Sequence, residues 1–220
     1  MHDHVTRVIA IRHGETAWNV DTRIQGQLDV PLNDTGRWQA RRLAQAIADE
    51  PIAALYASDL ARALETAQAV ADTLGRPVAR VPGLRERFFG TFEGHTWKEI
   101  EMRWPEQSER WRKRDLDFAP GGDGETLREF YARCVGVATR LAEAHAGQTI
   151  ALVAHGGVMD CLYRAAARIE LDAPRSWQLG NASINRLLYT PQGFSLVGWS
   201  DTLHLDSTLD ESIDRVGSAA

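Results

Sequence analysis

Only two cysteines occur in 220 residues, Cys134 and Cys161, with no CxxC pair and no cysteine cluster. That argues against a disulfide framework or a structural zinc and sets buried thiols in a reducing compartment as the expectation. An excess of positive charge is also missing. Thirty acidic side chains stand against 25 basic ones, a formal charge of -5, so the footprint of a nucleic-acid binder is absent. No apolar run approaches the roughly 20 residues needed to span a bilayer, and "MHDHVTRV" has no basic segment leading into a long apolar one. A cytoplasmic location with no membrane partner is therefore expected. Internal repeats and low-complexity tracts are absent too, although the polar, small-residue-rich tail after "LHLD" (203–206) is expected to fray.

What is present is an ordinary globular composition, 44% hydrophobic and 25% charged, in a length that suits one domain over 1–220. Short aliphatic runs at 8–11, 52–57, 77–81 and 149–154 alternate with amphipathic patterns. Unalternating runs of this kind suit strands buried on both faces. One helix opens at the cap cluster Asn33, Asp34 and Thr35. A second is capped by Ser58 or Asp59 and stopped by Gly75, and a third carries Thr126 and Glu129 at capping-box spacing. A fourth follows Gly156 and Gly157. "INRLLYT" and "FSLVGWS", separated by Pro191, Gln192 and Gly193, read as a hairpin. The prediction is an α/β three-layer sandwich, with a mostly parallel central sheet and helices on both faces. Residues 88–125, with Trp97, Trp104, Trp111 and "PGGDG", break the rhythm and read as a lid-like excursion.

Ligands of open α/β sheets bind beyond the carboxyl ends of the strands. The first strand ends in Arg12, His13 and Gly14, and the second is followed by Arg62 in a helix's first turn. The third leads to Arg85 and Glu86, and the fourth ends in His155, Gly156 and Gly157. Singly, each has a plain alternative: a structural histidine, a salt bridge from Arg62 to Asp59 or Glu65, an ion pair of Glu86 with Arg85 or Arg87. Arg62, however, opposes the helix dipole at a cost of about 0.3–1 kcal/mol, an objection that a bound anion removes. Together the groups suit phosphoryl transfer. Guanidiniums grip phosphate oxygens, an unprotonated imidazole attacks, and a carboxylic acid protonates the departing alkoxide. Cationic surroundings favour a deprotonated attacking imidazole, while a second, charged histidine would bind the transferring group. No metal is required for this chemistry.

These residues are familiar as a set. "RHGETAWN", "RIQGQLDVPLNDTGRWQA", "SDLARALETA", "LRERFFGTFEG", "GGDGETL" and "AHGGV" occur in the order seen in the histidine phosphatase superfamily, and the chain is identified as resembling it over most of its length. The resemblance implies that His13 is the phosphorylated nucleophile, that Arg12, Arg62 and His155 line the phosphate pocket, and that Glu86 is the general acid/base. Asn19, Gln25 and Gly26 match phosphate- or substrate-contacting positions, and the backbone at Gly156 adds a donor. It implies no cofactor, a small phosphorylated metabolite as partner, and leaves a homo-oligomer open.

Within the family, "ERFFG" places Phe88 and Phe89 where mutases carry His and Tyr, and Glu93 in "TFEGHTW" resembles the phosphatase branch. The expectation is a metal-independent phosphatase, with 2,3-bisphosphoglycerate-dependent mutase activity as the alternative. "ERWRKRD" pulls toward the alternative, since it resembles the paired arginines by which mutases hold a carboxylate. Arg112, Lys113 and Arg114 are then either substrate contacts or a solvated basic helix face. A metallohydrolase using His2, Asp3 and His4, and a non-catalytic phosphate-binding module, are weaker readings.

Overall fold

The computed structural model describes residues 4–206. They build one six-stranded sheet from β1 (Thr6–Arg12), β2 (Ile52–Ala57), β3 (Val78–Arg80), β4 (Thr149–Ala154), β5 (Ile184–Thr190) and β6 (Gly193–Asp201), in the order β3-β2-β4-β1-β5-β6. The first four strands are mutually parallel, and the β5–β6 hairpin adds antiparallel strands beside β1. The fraying expected of the tail concerns residues outside the described ones.

The strands are apolar on both sides because both sides are covered. Along β1, Val8 and Ala10 enter one cluster and Ile9 and Ile11 the other, the period of two that a pleated strand imposes. On the first face they meet Phe130, Cys134 and Ala138 of α6 (Leu127–Glu143), and Val158, Cys161 and Leu162 of α7 (Gly156–Ala167). On the second they meet Leu43 and Ala44 of α2 (Asp34–Ala46), and Ala63, Ala67 and Val70 of α3 (Ala61–Leu74). The three layers expected from the alternating pattern are present. β3 departs from it: Ala79 and Arg80 are exposed, because this strand is the sheet's edge and no layer covers it.

Local signals set most helix ends. Asn33 Oδ1 accepts from Gly36 N at 2.8 Å to open α2, Thr126 and Glu129 form a capping box on α6, and Gly75 closes α3 at φ 61°. The start of α3 differs from expectation. Its N-cap is Leu60, without a side-chain cap, and the distant Asp29 Oδ1 accepts from Ala61 N at 2.7 Å instead.

The 88–125 excursion holds α4 (Trp97–Arg103) and α5 (Pro105–Arg112) around a small core of its own, Phe92, Ile100 and Phe118, flanked by Phe89, Trp104 and Trp111. Trp97, Trp104 and Trp111 are half-buried there, so they hold the excursion together rather than standing free.

One close approach joins the sheet to α2. The short helix α1 (Ala17–Val20) follows β1, and between them the chain at Gly14 and Glu15 lies directly on Gly36. A Cβ on Gly36 would sit 2.0 Å from Glu15 O. Gly36→Ala, a change that ordinarily stabilises a helix by about 0.5–1 kcal/mol, is expected here to destabilise by about 1–3 kcal/mol. Urea unfolding monitored by circular dichroism measures the sign.

Candidate active site

Parallel strands bring their carboxyl ends to one edge, and the register decides which residues meet. Arg12 pairs with Ala154 and Ala57 with Val153, so the residues that follow, His13, His155 and Ser58, emerge side by side. His13 N donates to Ala154 O at 2.9 Å and Ser58 N to Val153 O at 2.9 Å, extending the ladder by one bond on each side. The His13 and His155 rings stand 5.2 Å apart between centroids.

His13 Nδ1 lies 2.7 Å from Gly14 O. A carbonyl only accepts, so Nδ1 carries the proton and Nε2 keeps its lone pair. Burial, reinforced by the charges of Arg62 and Arg12, pushes this imidazole well below the ordinary histidine range. His155 Nε2 shares a hydrogen bond of 2.8 Å with Ser58 Oγ, while its buried Nδ1 has no partner. Burial and Arg62 push His155 down as well. That corrects the expectation of a charged second histidine: with no solvent exposure and two guanidiniums nearby, the neutral form of the His155 imidazole is favoured.

The cations have backbone partners where carboxylates were the plain alternative. Arg62, 1% exposed at the start of α3, donates to Gly26 O at 2.7 Å and Leu28 O at 2.9 Å, and pairs with neither Asp59 nor Glu65. Burial lowers it to about 10, still protonated at neutral pH. Arg12 donates to Leu179 O at 2.7 Å. The Nε atoms of both are buried without partners. Neither makes an ion pair among the described residues, so two desolvated positive charges face one cavity.

That cavity, about 210 Å³, is lined by Arg12, His13, Asn19, Gln25, Gly26, Arg62, Glu86 and Gly156, with Arg23, Ile24 and Phe89. Every residue expected at the site lines it except His155, whose ring stands against that of His13. A larger cavity, about 790 Å³, is bordered by Glu15, Asp201 and Asp206 and by no cation, so it is unsuited to phosphate.

Glu86 takes no ion pair with its neighbours. Arg85 pairs with Asp59 at 2.6 Å, and Arg87 donates to Glu125 O and Phe118 O. The Glu86 carboxylate accepts from Gly157 N at 2.9 Å and Arg87 N at 2.9 Å. A Cβ on Gly157 would sit 2.2 Å from Glu86 Oε1 and 2.9 Å from the Phe130 ring, so glycine here is a condition of the carboxylate's position. Gly14 packs against α2, since its Cβ position meets Gly36 O at 2.5 Å.

Of the basic stretch, Arg112 and Lys113 turn outward to Glu101 and Glu109. Arg114 alone turns in, at φ 55°, to Asp160 at 3.3 Å and Leu171 O at 2.8 Å.

Three supporting residues have no signal of their own in the sequence. Asn181 Nδ2 donates to His13 O, Gly14 O and Asn19 Oδ1 at 3.1–3.2 Å, and thereby orients Asn19. Arg133, paired with Glu125 at 2.6 Å, donates to the carbonyls of Gly83 and Arg85 and fixes the approach to Glu86. Ser58 was legible only as a cap candidate. Among the described residues no group of three His, Cys, Asp or Glu side chains could hold a metal ion, and none forms a helix long and apolar enough to cross a membrane. His2 and Asp3 lie outside the described residues.

The profile of the histidine phosphatase superfamily (branch 1) matches residues 8–202. The chain belongs to this family. It is 37% identical over 204 residues to phosphoglycerate mutase-like protein 4 of Arabidopsis thaliana, covering 91% of this chain and 87% of the relative. It is 35% identical over 210 residues to the metal-independent phosphoserine phosphatase of the same plant, covering 94% and 86%. Among solved structures, YhfR of Bacillus stearothermophilus superposes with a TM-score of 0.84 at 32% identity, over 91% of this chain and 100% of that one.

Two expectations follow from the geometry. Gly157→Ala displaces the Glu86 carboxylate, and turnover should fall about a hundredfold with the fold intact, as steady-state kinetics beside a melting curve would show. Stability should also fall below pH 6.5. Both buried histidines resist protonation when folded and accept it when unfolded, so the unfolded state binds more protons as the pH drops. Between pH 7 and 5, His155→Gln should flatten the unfolding free energy by up to about 1.4 kcal/mol per pH unit, measured by denaturant titration at each pH.

Proposed function

We propose that this protein is a metal-independent phosphatase that hydrolyses small phosphomonoesters through phospho-His13. One observation carries the reading: two buried guanidiniums, Arg12 and Arg62, without carboxylate partners, face a cavity into which a neutral imidazole brings an unprotonated Nε2. A phosphoryl dianion supplies the missing counter-charge, and the guanidiniums neutralise the charge that develops on its oxygens.

In the first step His13 Nε2 attacks phosphorus, the P–O ester bond breaks, and its electron pair leaves with the alkoxide. Glu86, at the mouth of the cavity, gives the alkoxide a proton. In the second step Glu86, now a carboxylate, takes a proton from water as the water oxygen attacks the phosphohistidine. The N–P bond breaks and its pair returns to Nε2. Asn19 and Gln25 bind the phosphoryl oxygens, joined by the backbone at Gly26 and Gly156. The two buried thiols suit the cytoplasm as its setting.

Two features support a phosphatase over a mutase. Phe89 lines the cavity without the hydroxyl of the mutases, and Arg112 and Lys113 point away from it. Arg114, which turns inward, keeps the mutase as the second reading. Interconversion of 2- and 3-phosphoglycerate with 2,3-bisphosphoglycerate supplied would establish it.

His13→Ala should reduce release of p-nitrophenol from its phosphate ester by at least about 10⁴-fold, and acid-labile, base-stable label from ³²P-substrate should be trapped on the wild type alone. Undiminished turnover in the variant would overturn the reading.

A further inference from the structure

In-line attack by His13 sends the leaving alcohol away from the phosphate cavity and past Glu86. A second cavity, about 250 Å³, begins there and shares Glu86, Phe89 and Gly156 with the first. Its remaining wall carries Trp111, Phe130 and an unusual concentration of arginine. Two of the three arginines in this wall, Arg87 and Arg114, are held in place by the protein itself. Arg87 donates to two backbone carbonyls, and Arg114 and the buried Arg164 both meet Asp160.

Arg175 is different. It stands on the connection between α7 and β5, and its only hydrogen bond among the described residues is from Nε to Trp177 O at 3.1 Å. No carboxylate lies within ion-pair distance of it among the described residues. It lines the second cavity together with Glu86 and Gly156, which also border the first. The segment that carries it is held firmly. Trp177 stacks on Tyr163 at 4.1 Å between centroids, and the Arg164 guanidinium lies 4.8 Å from the indole. Two residues further on, Leu179 O holds Arg12. One connection thus fixes a phosphate-binding arginine and presents a second, unanswered guanidinium where the alcohol must sit.

We propose that Arg175 is a specificity-determining residue, which selects phosphomonoesters whose alcohol carries a carboxylate. The planar two-donor edge of one guanidinium matches a carboxylate, and Arg114, stabilised by Asp160, bounds the same space. The inference rests on the phosphatase reading and deepens it.

The test compares phosphate release from 3-phosphoglycerate and glycerol 3-phosphate, which share a three-carbon skeleton and differ in a carboxylate against a hydroxymethyl group. Wild type should prefer the former in kcat/KM by about tenfold or more. Arg175→Gln should bring the ratio close to one, chiefly through KM for 3-phosphoglycerate, and Arg175→Lys should restore part of it. Arg175 is exposed, so its replacement leaves the core untouched. A wild-type ratio near one, or a ratio that survives in Arg175→Gln, overturns the inference while p-nitrophenyl phosphate turnover by the wild type upholds the phosphatase. Absence of that turnover overturns both.

Discussion

Two guanidiniums held out of water without a carboxylate partner are an expensive arrangement, and the rest of the site follows from it. A buried carboxylate beside Arg12 or Arg62 would relieve the charge and close the site to phosphate. The fold instead meets the guanidiniums with backbone carbonyls, Leu179 O for Arg12 and Gly26 O and Leu28 O for Arg62. Dipoles reduce the desolvation cost without cancelling the charge. Burial, reinforced by the charge of Arg62, also holds the His13 and His155 imidazoles well below the ordinary histidine range. Burial of this cluster thus leaves two cations beside a deprotonated imidazole.

Holding those carbonyls in place is the task of segments distant in the chain. The turn at Gly26 is braced by the excursion, since Glu93 Oε1 accepts from both Gln27 N and Phe89 N. The α7–β5 connection supplies Leu179 O, and Asn181 just beyond it ties Asn19 to the backbone at His13 and Gly14. The lid-like excursion thus helps to build the cavity faced by Arg12 and Arg62 as well as a wall of the neighbouring one, and its own aromatic core holds it together.

Much of the site was legible because strand ends are legible. Aliphatic runs that stop at Arg12-His13 and at His155-Gly156 locate the carboxyl edge of a parallel sheet, and topology brings those ends together. The motif order then assigned Asn19, Gln25, Arg62 and Glu86, and all of them line the cavity. Other features depend on contacts that no local pattern encodes. The start of α3 is satisfied by Asp29, 32 residues away, and the orientation of Asn19 by Asn181, 162 residues away. Arg112, Lys113 and Arg114 are chemically alike in sequence. The end of α5 and a left-handed residue at position 114 separate two solvent-facing cations from one that turns inward.

By itself, then, the sequence determined the α/β class, the sheet's buried strands, the family, and which side chains meet at the carboxyl edge of the sheet. Those depend on hydrophobic period and residue chemistry, which are local. Tertiary structure alone decided that burial disfavours a charged His155, that Arg62 and Glu86 make no ion pair among the described residues, that β3 is an edge, and that Arg114 and Arg175 border the second cavity. Each of these is a question of what surrounds a group once the chain has closed on itself, and desolvation, the cause of most of them, has no meaning for a residue until its neighbours are in place.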